Sequence, residues 1–260
     1  MNSRARCVFV ALALLLGLLA NVGSAGAQAP SATPATGPSP DPAWLAAQVV
    51  YLTNLEREAQ GLPPLKANAL LSQAARAHSL AMAERDFFDH KDPQTGSTSA
   101  DRAHAAGYAW AALGENIAMG YATPEDVVRG WMASPGHRRN ILSLDFREIG
   151  VGYIAGPGPS ASCQHAPCQD YWTQVFGTSS EAYPVVIDSE APYASSPNVT
   201  LYCYGLGWAQ QMHLRHDQQP YGPWEPFQSS RSWQLPDSPG LHTVSVELRD
   251  SAGQIREASD

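Results

Sequence analysis

Three residues that can do metal or acid-base chemistry stand far apart in the sequence: His90, Glu115 and His137. Two neutral imidazoles and a carboxylate, with a fourth position left open, form a usable ligand set for Zn²⁺ and let the ion polarise a bound water. Their spacing alone does not indicate that they meet. Loop histidines and a Gly-Glu-Asn turn are also common hydrogen-bonding residues that fix loop geometry, and this structural role is the alternative.

Other reactive or aromatic side chains indicate structure more than chemistry. His78 falls on the apolar face of a predicted helix, which predicts a buried, hydrogen-bonded core residue. Trp131, Trp172 and Phe176 fall at the helix and strand spacings of buried apolar residues. This favours a role in core packing over a stacking platform for sugars. The sequence contains no Gly-x-Ser-x-Gly motif, so it gives no signal for a serine nucleophile of that type.

Helices are predicted in the first half of the chain. Apolar spacing, caps and stops place one from Trp44 to the stop Gly61-Leu62-Pro63-Pro64, one from the cap Asn68, one from Asp101 to Ala106, and one from Thr123 to Met132. Glu125 and Asp126 fall in the first turn of the helix that begins at Thr123, where the helix dipole favours acidic side chains, so their position does not indicate catalysis. The turn Ser134-Pro135-Gly136 is expected to break that helix before His137. Residues 138–140 then either line a cleft or form a solvated turn and a cap.

Strands are predicted after the helices, where the apolar period changes to two. Ile149 to Tyr153 and Trp172 to Phe176 alternate, so the first part of the chain is expected to be α+β. Beyond Gly177 no helical pattern returns. Four further strands indicate a small β sandwich whose last strand is missing or very short: Val185 to Ile187, Val199 to Tyr204, Met212 to Arg215 and His242 to Arg249.

The N-terminal segment has the pattern of a secretory signal peptide. Two arginines, an apolar run and small residues near Ala27 and Ala29 predict cleavage after one of these alanines, and residues 1–27 are assigned to the signal. The apolar run is shorter than the roughly 20 residues of a membrane span. Residues 28–43, mostly Ala, Pro, Ser, Thr and Gly, predict a disordered linker. We therefore expect a secreted, extracellular protein with no stable membrane span.

Charge and cysteine content narrow the function classes further. The 260 residues carry a formal net charge of -8, and an acidic surface repels phosphate backbones, which excludes nucleic acid as a partner. Export permits a disulfide, and Cys163 with Cys168 in a Gly/Pro-rich loop is favoured as a bridge over two free thiols. Cys203 is then expected to be a buried, small apolar residue.

Seven short segments together resemble the CAP superfamily of cysteine-rich secretory proteins, antigen 5 and pathogenesis-related proteins. They occur in the order Asn54-Leu55-Glu56-Arg57, Ala77-His78-Ser79-Leu80-Ala81, Phe88-Asp89-His90, Gly114-Glu115-Asn116-Ile117-Ala118, Ser134-Pro135-Gly136-His137-Arg138-Arg139-Asn140-Ile141-Leu142, Ile149-Gly150-Val151-Gly152 and Tyr171-Trp172-Thr173-Gln174-Val175-Phe176-Gly177. The resemblance is to a bacterial CAP domain over residues 44–178 and implies an α-β-α sandwich. The tail, residues 179–260, resembles an immunoglobulin-like β module.

The resemblance implies a cleft of two histidines and two glutamates that can hold a divalent metal. His90 and His137 match the histidine positions, Glu115 matches the first glutamate, and the second glutamate position falls on Ser134. These four residues are the predicted ligand-binding residues. His90, Glu115 and His137 are the candidate ligands of Zn²⁺ or another divalent cation, and Glu115 is the candidate catalytic base.

Three functions follow from the resemblance. The departure at Ser134 and the missing nucleophile motif favour an extracellular binding protein for a small molecule, lipid or cell-envelope component over an enzyme. The second hypothesis is a metal-dependent hydrolase of peptides or esters. The third is a scaffold or adhesion protein that acts through the β module. The sequence does not define the oligomeric state.

Overall fold

The computed structural model describes residues 41–156, 170–179 and 183–260. The predicted signal peptide, nearly all of the predicted linker and the predicted Cys163–Cys168 bridge lie outside these residues. Cys203 is free and buried, as predicted.

The described residues include five α-helices. They are α1 (Pro42–Glu58), α2 (Ala69–Arg85), α3 (Ser99–Ala105), α4 (Pro124–Ala133) and α5 (Pro135–Ile141). The first four confirm the predicted helices. The Asn68 side chain accepts from Leu70 N and Leu71 N at the start of α2, and the Thr123 side chain accepts from Asp126 N at the start of α4, because a helix start leaves backbone N–H groups without intrahelical partners. None of the helices described has the length and apolar run that a membrane crossing requires.

The segment after α4 differs from the prediction. The break occurs at Ser134, whose backbone is extended, but Pro135 begins a new helix where a turn was expected. Proline suits the first helical position because the N–H it lacks has no partner there. His137 therefore lies in the first turn of α5.

Four strands form the sheet of the first part. They are β1 (Lys66–Ala67), β2 (Ala112–Met119), β3 (Glu148–Ile154) and β4 (Tyr171–Thr178), in the order β1-β3-β4-β2. The strands β2 and β3 pair antiparallel with β4, and β1 pairs parallel with β3. The expected Gly-Glu-Asn turn was wrong, because Glu115 lies inside β2 opposite Val175. Pairing with β4 outweighs the weak strand propensity of Gly114 and Asn116.

Alternation along β4 shows why the sheet lies between two helical layers. Trp172 and Phe176 pack with residues of α1 and α4, whereas Tyr171 and Val175 pack with residues of α2. Neighbouring residues of a strand point to opposite faces, so both faces of this sheet are covered. The three layers agree with the expected α-β-α sandwich. Trp131, Trp172 and Phe176 are buried, which confirms the packing role predicted for them.

The tail contains two further sheets. One has the order β5-β6-β9, from β5 (Val185–Ile187), β6 (Asn198–Cys203) and β9 (Ser230–Gln234); the other has the order β11-β10-β7-β8, from β7 (Gln211–His216), β8 (Glu225–Pro226), β10 (Val244–Arg249) and β11 (Ile255–Ser259). Leu201 of the first sheet and Leu214 and Val246 of the second belong to one buried cluster. The four predicted strands are confirmed. The expectation for the last strand was wrong, because the five residues of β11 pair with β10.

The described residues, 41–156, 170–179 and 183–260, belong to one compact unit that includes the tail. The division at residue 178 and the immunoglobulin-like character of the tail therefore stay predictions.

Candidate functional site

His90 lies in the loop after α2, and Glu115 of β2 holds its ring. The His90 Nδ1 and Glu115 Oε1 atoms are 2.9 Å apart. Since an ionised carboxylate only accepts hydrogen bonds, Nδ1–H donates, which leaves Nε2 for a ligand. The His90 side chain is 55% exposed, whereas that of Glu115 is 4% exposed. The His90 ring thus faces the solvent, and the buried Glu115 carboxylate holds it in position.

Arg102 of α3 engages the second oxygen of Glu115. Its Nη2 donates to Glu115 Oε2 at 2.7 Å and to the backbone oxygen of His90 at 3.0 Å. Burial alone raises the pKa of Glu115, but the hydrogen bond from His90 and the charge of Arg102 outweigh it, so the pKa lies below its ordinary value. Glu115 is therefore a carboxylate with both oxygens occupied.

The two histidines of the site differ in basicity. The hydrogen bond to Glu115 raises the pKa of His90 against the opposing effect of partial burial. Burial lowers the pKa of His137, and the nearby charge of His90 lowers it further. At neutral pH His90 is thus the more readily protonated ring, and His137 is a neutral donor and acceptor.

His78 lies behind this pair. Its side chain is fully buried, its Nε2 is 3.0 Å from the backbone oxygen of Asp89, and it is 3.9 Å from Glu115 Oε1. Burial lowers the pKa of His78 to about 4, so the ring is neutral at pH 7. The structural role predicted for His78 is confirmed.

His90, Ser134 and His137 line one open cleft of about 520 Å³. The aromatic side chains of Phe88, Tyr121 and Trp131 contribute to its walls. Glu115 is not among the residues that line it, because it lies behind His90. Three of the four predicted ligand-binding residues therefore line one cleft. The fourth, Glu115, holds the His90 ring through a hydrogen bond.

A network of amides fixes His137 relative to β2. Asn140 Nδ2 donates to the backbone oxygen of Glu115 at 3.1 Å and to Asn116 Oδ1 at 2.9 Å. Asn116 Nδ2 in turn donates to the backbone oxygen of His137 at 3.2 Å. Sequence reasoning missed this role and that of Arg102. The only available signal was that Asn116 and Asn140 lie within the segments that resemble the CAP superfamily.

The donor geometry does not fit a metal site with three protein ligands. Among the residues that the structure describes, no group of three His, Cys, Asp or Glu side chains is placed to hold a metal ion. A catalytic zinc site normally has three such ligands and an open position. Here Glu115 already binds His90 and Arg102. Metal binding by His90, Glu115 and His137 is thus a prediction from the sequence that this arrangement of donors does not support, and no step is assigned to a metal.

The comparison with protein families identifies this part of the chain. Residues 50–176 match the model of the family described as CAP, cysteine-rich secretory protein family. The segment is a CAP domain. It contains the whole of β2 and all four residues of the predicted site.

Two curated relatives come from Bacillus subtilis (strain 168). The uncharacterized protein YkwD is 50% identical over 107 residues, which are 41% of this chain and 41% of that protein. The uncharacterized membrane protein YlbC is 35% identical over 105 residues, which are 40% of this chain and 30% of that protein. The matched segments thus span less than half the length of either relative.

Two solved structures are also similar to part of the chain. An extracellular protein containing a SCP domain from Bacillus anthracis str. Ames is 28% identical, with a TM-score of 0.45, over 53% of this chain and 41% of that chain. A cysteine-rich secretory protein from Staphylococcus aureus subsp. aureus Mu50 is 20% identical, with a TM-score of 0.42, over 55% of this chain and 41% of that chain.

Proposed function

We propose that this chain is an extracellular binding protein whose CAP cleft takes a small amphiphile, such as a lipid of the cell envelope, with a carboxylate head. The supporting observation is that His90, Ser134 and His137 line the same cleft of about 520 Å³ as the aromatic residues Phe88 and Tyr121. This volume lies in the range of about 300 to 1,000 Å³ that is common for small-molecule sites. The aromatic wall covers an apolar body, and the histidines bind the polar head.

The protonation states of the histidines favour a carboxylate head over an alcohol. His90, with its raised pKa, supplies a positive charge, and neutral His137 and the Ser134 hydroxyl donate hydrogen bonds. His90 is charged below its folded pKa, so affinity for a carboxylate falls as the pH rises through that value. Because His90 is half exposed, this loss is small, about threefold to fivefold.

The test is calorimetric titration of the chain with dodecanoate and dodecan-1-ol at about pH 6 and about pH 8. We expect dodecanoate to bind more tightly than the alcohol, and more tightly at the lower pH. His90→Gln and His137→Gln should each weaken dodecanoate binding about fivefold or more. His104→Gln is the matched control, because His104 is an exposed histidine of α3 that does not line the cleft. Equal affinities for all four proteins contradict the proposal.

A hydrolase of esters or peptides is the second candidate, supported by the Glu115–His90 pair. A carboxylate that orients an imidazole is the usual support of a general base. In this arrangement His90 is the base that activates a water, and Glu115 orients it. Turnover of a 4-nitrophenyl ester panel, measured with and without chelator, tests both this candidate and the metal-dependent form expected from the sequence. Equal rates for the wild type and His90→Gln exclude it.

A further inference from the structure

A second cavity, of about 670 Å³, lies between the CAP domain and the tail. We define it as the seam groove. Tyr51 and Leu55 of α1 form one wall, and Tyr193 and Tyr202 of the tail form the other. The Tyr193 side chain is 73% exposed. The Tyr193 ring is therefore accessible to a ligand in the groove, and covering it would be favourable.

Hydrogen bonds between the two parts form the seam groove before any ligand arrives. Asn54 Nδ2 donates to the backbone oxygen of Ser189 at 2.9 Å, and the Tyr204 hydroxyl donates to the backbone oxygen of Pro64 at 2.9 Å. Ser189 and Pro64 themselves line the seam groove. A site whose walls are fixed in advance binds a ligand with less loss of conformational entropy.

The backbone of one wall is held in a costly conformation. Asp188 and Ser189, which line the groove, and the next residue, Glu190, have φ angles of 42°, 58° and 65°, the left-handed region that residues with a side chain rarely adopt. Thr200 N donates to Asp188 Oδ1 at 2.6 Å, and Lys66 Nζ is 2.9 Å from Glu190 Oε1. These contacts keep the wall in place, as expected for a surface that presents a fixed set of groups.

The chemistry of the seam groove excludes anions and matches a saccharide. Its carboxylates are those of Glu58 and Asp188, and no Lys, Arg or His is among the described residues that line it. The remaining polar side-chain groups are an amide and hydroxyls, from Gln48, Ser189, Ser195, Thr200, Ser230 and the tyrosines Tyr51, Tyr193 and Tyr202. Carboxylates and hydroxyls accept hydrogen bonds from sugar hydroxyls, and tyrosine rings cover the apolar faces of sugar rings.

We infer that the seam groove is a second ligand site that takes a neutral or amine-bearing oligosaccharide. Unlike the CAP cleft, it has no Lys, Arg or His among its described lining residues, so the two sites prefer ligands of different charge. The inference is independent of the proposed amphiphile and gives the tail a role in binding.

The test is calorimetric titration of the full chain with three oligosaccharides. N-acetylglucosamine tetramer is neutral, glucosamine tetramer is cationic, and galacturonate tetramer is anionic. We expect the first two to bind and the third not to bind. Tyr193→Ala should weaken binding at least about fivefold, whereas Tyr193→Phe should retain most of it. Trp110→Ala is the matched control, because Trp110 is also an exposed ring but lies outside the seam groove.

Several outcomes overturn the inference. One is the absence of heat with both the neutral and the cationic tetramer, and another is equal affinity of Tyr193→Ala and the wild type. Loss of saccharide binding in His90→Gln with full binding in Tyr193→Ala places the sugar in the CAP cleft and also contradicts it. Saccharide binding that His90→Gln leaves unchanged supports the seam groove, whether or not dodecanoate binds.

Discussion

Glu115 connects the exposed ring of His90 to the nearly buried Arg102 through its two oxygens. One accepts from His90, and the other accepts from Arg102, which is nearly buried. A buried charge pair is costly to break, because the remaining partner is left without compensation. Glu115 therefore affects both the stability of the domain and the protonation of His90.

Glu115→Gln should lower the pKa of His90. The hydrogen bond to Glu115 is the largest cause of the raised value, and burial and the charge of Arg102 both act in the opposite direction. The free energy of unfolding should fall by about 3 kcal/mol, because Arg102 loses its counter-charge. NMR titration of the His90 ring, with exposed His104 as internal control, measures the first effect. An unchanged His90 titration contradicts the assignment.

His78 makes the folded state sensitive to mild acid. Its folded pKa of about 4 lies below the ordinary value of 6.5, so the unfolded chain binds the proton first. The stability gained from neutral His78 is complete above pH 6.5 and is lost as the pH falls towards about 4. Glu115, whose pKa is also depressed, adds its loss only below its ordinary value of 4.5. His137, whose pKa is also lowered, adds a loss of the same sign below its ordinary value of 6.5. The raised pKa of His90 acts in the opposite direction, because its contribution to stability is complete below 6.5 and is lost as the pH rises above that value.

We expect the free energy of unfolding to fall by about 3 kcal/mol between about pH 7 and about pH 4. Urea unfolding at a series of pH values measures this, and His78→Gln should flatten the profile in that window. Since that variant removes a core residue, NMR titration of His78 in the wild type provides a second measurement. A His78 ring that titrates near its ordinary value rules the explanation out.

At the scale of elements, the close approach of β3 to α2 depends on glycine. A Cβ atom on Gly152 would lie 2.2 Å from the backbone nitrogen of Arg76 and 2.4 Å from the carbonyl carbon of Ala75. Backbone atoms cannot move aside as a flexible side chain can, so the helix would have to shift. The Ile149-Gly150-Val151-Gly152 segment therefore sets the thickness of this layer.

Gly152→Ala should destabilise the fold by about 3 kcal/mol. Gly136→Ala is the matched control, because a Cβ at Gly136 meets no atom within 4 Å and this glycine lies in α5. The control should be neutral or stabilising by up to about 1 kcal/mol. Thermal unfolding of both variants measures the difference. A Gly152→Ala protein as stable as the control contradicts the packing argument.

The same elements show what the sequence could and could not predict. The caps Asn68 and Thr123 predicted helix starts because capping depends on residues within one turn. Glu115 was misplaced in a turn, because β2 is a strand only through its pairing with the distant β4. The contact between His90 and Glu115 also depends on the pairing of β2 with β4, so the sequence spacing of the two residues could not predict it. Only the resemblance to the CAP superfamily indicated the site.

At the scale of the whole molecule, a cluster of charges joins the CAP domain to the tail. Lys66 of β1 pairs with Glu190 at 2.9 Å and also with Asp260, and all three side chains are mostly buried. Asp260 Oδ2 also accepts from Ile187 N at 2.6 Å, which ties it to β5. Burial and the charge of Asp260 raise the pKa of Glu190, with the charge of Lys66 acting in the opposite direction. Among the described residues, Lys66 is thus the cation that pairs with both carboxylates.

Lys66→Met should therefore destabilise the chain by about 3 kcal/mol, because it leaves two carboxylates close together with no counter-charge. Adding Glu190→Gln should recover part of the loss, and this non-additivity is measured by a double-mutant cycle on the free energy of unfolding. Arg129→Ala is the control, because Arg129 pairs with Asp126 on the exposed face of α4 and such pairs contribute about 0 to 1 kcal/mol.

If the cluster joins the two parts, Lys66→Met should also weaken saccharide binding in the seam groove, whose wall includes the neighbours of Glu190. Strictly additive effects of Lys66→Met and Glu190→Gln show that the charges do not couple the CAP domain to the tail.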